Sequence, residues 1–186
     1  MTHKMIIAGF GGQGVMLIGQ LLAYAAMTEG KEVVWMPSYG PEMRGGTANC
    51  TVIISDQKIA SPVVTQATAV VAMNKPSLAK FKAFLMPGSD LFVNASLVPE
   101  KPAAAGVRVH MVDCMGIAGK LRNSRAANMV MLGAVNRVTK IVSTDSVKKA
   151  MEKMFAGGKA EWIDLNMKAL KAWRGQAASG GKNNFC

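Results

Sequence analysis

Three glycines spaced Gly9-x-Gly11-x-x-Gly14 stand between a short apolar run, Met5-Ile6-Ile7-Ala8, and a long helical pattern. A glycine turn in that position lets backbone approach a bound group closely. The helix after it points free N–H groups and a partial positive charge at the same place, which suits phosphate. The plainer reading is that Gly11 and Gly14 let the helix pack tightly on the strand. A nicotinamide dinucleotide site needs more, namely an Asp or Glu ending the second strand about 20 residues on. Here that strand ends Trp35-Met36-Pro37-Ser38, and Glu32 lies at its start, on the wrong edge. The NADP-type arginine is missing from that position too. The turn suits phosphate and argues against an ordinary nicotinamide site.

A second segment of chemical interest is Ser38-Tyr39-Gly40-Pro41-Glu42-Met43-Arg44-Gly45-Gly46-Thr47. It follows the second strand and so belongs to the same carboxyl edge as the glycine turn, where open α/β sheets bind ligands. Tyr39 can stack on a flat ring, Arg44 can pair with phosphate, and Gly45-Gly46 can admit backbone. Equally, Tyr39 can pack, Glu42 can pair with Arg44, and the glycines can simply turn the chain. His3 and His110 read as structural or solvated, His3 in a mobile end and His110 in a strand with no partner near it in sequence. Cys114, after Asp113, reads as a packing cysteine.

The elements that must position these residues are legible from periodicity. Val15 to about Glu29 carries apolar residues at helical spacing and is stopped by Gly30. Glu32–Met36 reads as a second buried strand, so strand, turn, helix and strand make a βαβ unit and imply a parallel sheet. Further strands are expected at Asn49–Ser55, Ala69–Met73, Leu91–Asn94 and Val107–Val112. A helix opened by Asn74-Lys75-Pro76 is expected to end near Pro87-Gly88. From Ile117 onward the pattern is helical, with helices at Arg125–Lys140, Asp145–Phe155 and Glu161–Trp173. Ser143 or Thr144, with Asp145, supplies caps, and Gly157-Gly158 a stop. The fold class is α/β, with a mainly parallel sheet, flanking helices and a helical, basic C-terminal third. One domain over residues 1–186 is expected, with a flexible tail from about residue 176.

Composition excludes several classes. With 186 residues and half of them apolar, the chain has enough material for a core and is not a disordered polymer. The net charge of +11 is unevenly spread. Residues 1–119 hold 9 Lys and Arg against 7 Asp and Glu, whereas residues 120–186 hold 13 against 4. The basic residues of the last third interleave with helix-period apolar positions, so Lys148-Lys149 and Lys168 with Lys171 read as solvated helix faces, and a nucleic-acid module is disfavoured. Cys50, Cys114 and Cys186 are too far apart for a zinc or iron–sulfur motif. No signal peptide or membrane span is evident, which together with the cysteine usage points to a reducing cytoplasm.

Three separated stretches resemble one family: GFGGQGVMLIGQLLAYAA at 9–26, SYGPEMRGGTANCTVIISD at 38–56 and RAANMVMLGAV at 125–135. Over roughly residues 4–175 the chain resembles the gamma subunit of the 2-oxoacid:ferredoxin (2-oxoacid:acceptor) oxidoreductases. Its turn and loop are nearer in pattern to the 2-oxoglutarate or 2-ketoisovalerate type than to the pyruvate type. The resemblance implies a Rossmann-like domain in a complex that oxidatively decarboxylates a 2-oxoacid to an acyl-coenzyme A and reduces ferredoxin. It implies alpha, beta and in some forms delta partners, which carry thiamine diphosphate, magnesium and the iron–sulfur clusters. No catalytic residue and no metal ligand is implied for this chain. Carried over, Gly9, Gly11, Gly12, Gln13 and Gly14 form the phosphate-facing turn, and Tyr39, Glu42, Arg44, Gly45 and Gly46 the adjacent loop, together a candidate coenzyme A site. An indolepyruvate oxidoreductase beta-type subunit and a freestanding nucleotide-binding oxidoreductase are the alternatives.

Overall fold

The computed structural model describes residues 1–38, 47–155 and 160–175. Six strands form one sheet: β1 (Thr2–Phe10), β2 (Glu32–Ser38), β3 (Thr47–Ser55), β4 (Ala67–Ala72), β5 (Leu85–Asn94) and β6 (Arg108–Val112). They lie in the order β2-β3-β1-β4-β5-β6. β1, β4, β5 and β6 are mutually parallel, while β3 runs antiparallel to both of its neighbours. The helices are α1 (Val15–Thr28), α2 (Lys75–Phe81), α3 (Cys114–Lys120), α4 (Ala127–Thr139), α5 (Thr144–Met154) and α6 (Ala160–Ala172).

The expected α/β class holds, with a refinement at the first βαβ unit. β2 has the direction of β1 but does not pair with it, because β3 returns antiparallel and inserts between them. β3 shows why the two kinds of strand coexist. Its first residues alternate between half-buried and buried, the mark of a strand with one face covered. Central β4 is buried almost throughout, as a strand covered on both faces must be.

Packing divides the sheet into two faces. Met5, Ile7, Val52, Val71 and Phe92 point to α1, α4, α5 and α6, which build the larger core. Ile6, Ala8, Val70, Leu91 and Val93 point to the other face, where α2 supplies Leu78 and Phe81. Local signals set the helix ends. α1 is followed by Gly30 at φ +74°, a backbone conformation cheap only for glycine. Asn74 caps α2 by accepting from the Ser77 N–H, and Ser143 caps α5 by accepting from that of Ser146. α2 is shorter than its sequence suggested. It ends at Phe81 and passes through one 3₁₀ turn, and Leu85 already pairs with Ala67, so Pro87-Gly88 lies inside the irregular start of β5. The expected stop at Gly157-Gly158 and the tail from residue 176 lie outside the described residues.

Candidate functional site

The glycine turn sits at the carboxyl end of β1, next to the carboxyl ends of β4 and β5. β1 continues leftward through α1 and β4 rightward through α2, so this is the switch point of the sheet, where a crevice opens. A cleft of about 270 Å³ occupies it, walled by Gly12, Gln13 and Gly14, by Asn94 from the end of β5, by Arg125 in the 3₁₀ turn before α4 and by Asn128 in the first turn of α4.

Each turn residue has a distinct task. Gly9 packs so closely on the Gln13 side chain, Val15 and Met73 that a Cβ would lie under 3.0 Å from all three. Gly11 and Gly12 are exposed. A Cβ on Gly12 would meet nothing within 4 Å, so this stretch of backbone is open to a ligand. Gly14 is left-handed, at φ +71°, and a Cβ there would press against the Asn128 amide. It is also the N-cap of α1 and offers no side-chain cap, and no acidic residue occupies the first turn. The first N–H groups of α1 are thus without a capping side chain and carry the helix's positive end.

Gln13 faces inward instead. Its Oε1 accepts from the Phe10 N–H at 2.6 Å and from Asn74 Nδ2 at 3.1 Å, and its Nε2 reaches the Met73 carbonyl at 3.5 Å. It fastens the turn to the end of β4. Asn94 donates to the same Met73 carbonyl at 3.2 Å. Asn128 is buried, at 8% exposure, and its Oδ1 accepts from the adjoining Met129 N–H at 3.0 Å. Among the described residues, no carboxylate lines the cleft.

Tyr39, Glu42, Arg44, Gly45 and Gly46 lie outside the described residues. Their flanks are defined: Thr47 pairs with Phe10, immediately before the turn, and Ser38 pairs with Asn49. Asn94, Arg125 and Asn128 were not singled out by sequence as site residues. The available signal for Asn128 was a polar side chain inside an otherwise apolar helical run.

At the opposite, amino edge lies a cluster that sequence reasoning missed. Asp90, 6% exposed, receives two hydrogen bonds from Arg108, at 2.9 and 2.8 Å, and pairs with His110 Nε2 at 2.8 Å. His110 stacks on Phe92 with centroids 4.8 Å apart. It therefore has a partner after all, supplied by the neighbouring strand through the β5–β6 register. Burial disfavours the ionised Asp90, yet the hydrogen bonds from His110 and Arg108 outweigh it and hold the carboxyl below its ordinary value. His3 belongs to β1, paired with Ile54, and not to a mobile end. Its imidazole is lowered by burial, with Lys31 and the terminal ammonium adding to the effect. Cys114 is buried, and its thiol is pushed up to about 12 by burial and by Asp113. It packs, as its type suggested. Among the described residues no group of three His, Cys, Asp or Glu side chains could hold a metal ion, and no helix is long and apolar enough to cross a membrane.

A mostly parallel six-stranded sheet with flanking helices and a glycine turn at its switch point defines an α/β domain. The comparisons specify the family. The model of the pyruvate ferredoxin/flavodoxin oxidoreductase family matches residues 4–174. The chain belongs to that family and is of its gamma type. Ketoisovalerate oxidoreductase subunit VorA of Methanothermobacter thermautotrophicus is 40% identical over 170 residues, covering 91% of this chain and 35% of that protein. The chain thus spans about a third of the length of that relative. The 2-oxoglutarate synthase subunit KorC of Methanothermobacter marburgensis is 33% identical over 189 residues, covering 98% of this chain and all of that protein. Among solved structures, the gamma subunit of a keto/oxoacid ferredoxin oxidoreductase from Geobacter sulfurreducens superposes with a TM-score of 0.76 at 31% identity. The match covers 91% of this chain and 95% of that one.

Proposed function

We propose that this chain is the gamma subunit of a multi-subunit 2-oxoacid:ferredoxin oxidoreductase, of the 2-oxoglutarate or branched-chain 2-ketoacid type. Its role is to support assembly and to hold coenzyme A, while alpha and beta partners, with a delta subunit in some forms, carry thiamine diphosphate, magnesium and iron–sulfur clusters. Ferredoxin takes the electrons from the complex. The observation that carries the reading is the cleft over an uncapped helix start, in a chain of this family.

The residues present fit coenzyme A. Its phosphates need donors and positive potential, and the cleft supplies the first amides of α1, the Arg125 guanidinium and the Asn128 amide. Gly11 and Gly12 let an oxygen approach backbone directly, while Gln13 holds the turn in shape through Phe10 and Asn74. Tyr39, Glu42, Arg44, Gly45 and Gly46 complete the proposed site from the adjoining segment. The chemistry expected of coenzyme A is to supply the thiol that accepts the acyl group. This chain's share is to bind and orient.

Purification of the chain from its native cells tests the assignment. It is expected to co-elute with thiamine-diphosphate-containing subunits, in an assembly that reduces ferredoxin when a 2-oxoacid and coenzyme A are both supplied. A chain that elutes alone, with no such activity in any fraction containing it, refutes the proposal.

A further inference from the structure

The last third of the chain holds 13 Lys and Arg against 4 Asp and Glu, yet only Arg125 of that excess lines the glycine-turn cleft. Three other cations meet at a separate cleft of about 330 Å³. Arg137 in the last turn of α4, Lys140 at its C-cap and Lys171 in the last turn of α6 line it together. At about 1.5 Å per residue along α4, Lys140 lies about 18 Å from Asn128 and the glycine turn. Asn136, Ser143 and Thr144 add polar groups, and no carboxylate lines the cleft among the described residues. Glu29 accepts from the Ser143 N–H at 2.6 Å, but Lys31 pairs with it at 3.1 Å. Asp145, in the first turn of α5, does not line the cleft. Arg137, Lys140 and Lys171 form no ion pair among the described residues. The dipole at a helix end favours one cation there, which accounts for Arg137 and Lys171 singly and not for their convergence. Lys140 goes further. It stands at φ +50° and ψ +33°, the left-handed conformation that is cheap for glycine, so a long cation occupies a place where backbone alone favours no side chain.

We propose that this basic cleft is an interaction surface for an acidic segment of a partner subunit, whose Asp or Glu side chains pair with Arg137, Lys140 and Lys171. It rests on the assembly reading above and adds to it a surface and the chemistry of what docks there. Charge complementarity selects the occupant. Converging cations with hydroxyl and amide neighbours match closely spaced carboxylates on a polypeptide. A nucleic-acid strand needs rings on which bases stack, and the aromatic residue at this cleft, Trp173, is only 7% exposed.

Two measurements on the full chain test this. In the first, the tagged chain is recovered from its native cells, and the subunits that co-elute are quantified as salt in the wash is raised. In the second, fluorescein-labelled hexaglutamate is titrated by anisotropy, with inorganic pyrophosphate and oligothymidylate as competitors. Wild type is compared with Lys140→Gly, with Lys140→Gly/Lys171→Gln, and with Lys80→Gln/Lys82→Gln, which removes two exposed charges around the end of α2. Lys140→Gly is expected to weaken hexaglutamate about threefold and the double variant about tenfold, while the α2 control binds as wild type. The Tm of Lys140→Gly should rise, since glycine relieves the left-handed backbone, which separates lost binding from lost folding. Subunits should wash from the double variant at lower salt than from wild type. If the double variant keeps its subunits and its peptide as wild type does, the surface is wrong and the assembly reading stands. If the α2 control loses as much, the attraction is diffuse charge and the cleft is not the site. Tighter binding of oligothymidylate or of pyrophosphate than of hexaglutamate overturns the acidic-polypeptide assignment in favour of that ligand. If wild type brings down no subunits, the assembly reading fails and takes this one with it.

Discussion

Gly133 lies in the middle of α4, where helix propensity and packing make opposite demands. Replacing an interior helical glycine by alanine stabilises by roughly 0.5–1 kcal/mol when nothing opposes the methyl group. At Gly133 something does. A Cβ would lie 2.6 Å from the carbonyl carbon of Leu170 in α6, and nearer still to its oxygen. Both are backbone atoms and cannot rotate away. Carbon atoms in contact sit about 3.5–4.0 Å apart, so α6 must retreat by about 1 Å. A gap of that size forfeits a quarter to a half of the contact energy across it. Met167 and Leu170 of α6 and Trp173 just after it are the large side chains buried there, together worth about 6 kcal/mol at ~2 kcal/mol each. The loss is thus about 1.5–3 kcal/mol, and the net destabilisation after the propensity gain is about 1–2 kcal/mol. For a domain of this size that lowers Tm by about 3–6 °C. Thermal unfolding of Gly133→Ala, followed by circular dichroism and by tryptophan fluorescence, measures it. Gly119→Ala is the control, since a Cβ there meets nothing within 4 Å, and its Tm should hold or rise. A Gly133→Ala protein as stable as wild type, or more so, refutes the close approach of α4 and α6.

Gly12→Ala and Gly14→Ala should both cost about 1–2 kcal/mol for a left-handed backbone, but Gly14→Ala should cost more, because its Cβ would sit 2.9 Å from Asn128 Cγ. Equal urea midpoints for the two would contradict that contact. Asp90, held below its ordinary value of 3.8, adds stability that is complete above the unfolded carboxyl's range and is lost as pH falls through the folded one. Asp90→Asn should therefore flatten the stability loss below about pH 4, and an acid limb superimposable on that of wild type would count against the Arg108–His110 network. The thiols of Cys50 and Cys114 are both pushed up to about 12, Cys50 by burial and Cys114 by burial with Asp113 beside it. Alkylation of the native protein at pH 8 should spare both until denaturant is added, as read by peptide mass mapping, and rapid native labelling of Cys50 would show that the core near α1 opens.

Local features were the legible ones. The glycine turn, the Asn74 and Ser143 caps and the Gly30 stop each depend on residues within one turn of chain, and the structure places them as their types demand. Strand neighbours were not legible. A strand, a helix and a strand imply parallel directions, which β1 and β2 have, but nothing in those residues announces that β3 will separate them. The end of α2 was misplaced because Pro87-Gly88 is a stop signal in general, yet the pairing of Leu85 with Ala67 had already claimed the chain for β5. The same limit hid the partners of His110 and Gly14. Asp90 reaches His110 only through the register of β5 with β6, and Asn128 meets Gly14 across more than a hundred residues. The residues of a site are readable where they are contiguous, and its far wall is supplied by tertiary structure.

The position of β1 in the sheet has a consequence for the order of assembly. β1 is an interior strand, synthesised before both of its neighbours, Thr47–Ser55 and Ala67–Ala72. Both pairings close long loops, whose entropy must be lost before any contact repays it. At roughly 5–20 residues per second, Asn128 follows Gly14 from the ribosome by about 6–23 s. Until β3 and β4 have emerged, Met5-Ile6-Ile7-Ala8 is an apolar segment without its sheet. The glycine turn itself takes shape only when Met73 and Asn74 arrive to meet Gln13. The completion of this early motif waits on a partner 61 positions further along the chain.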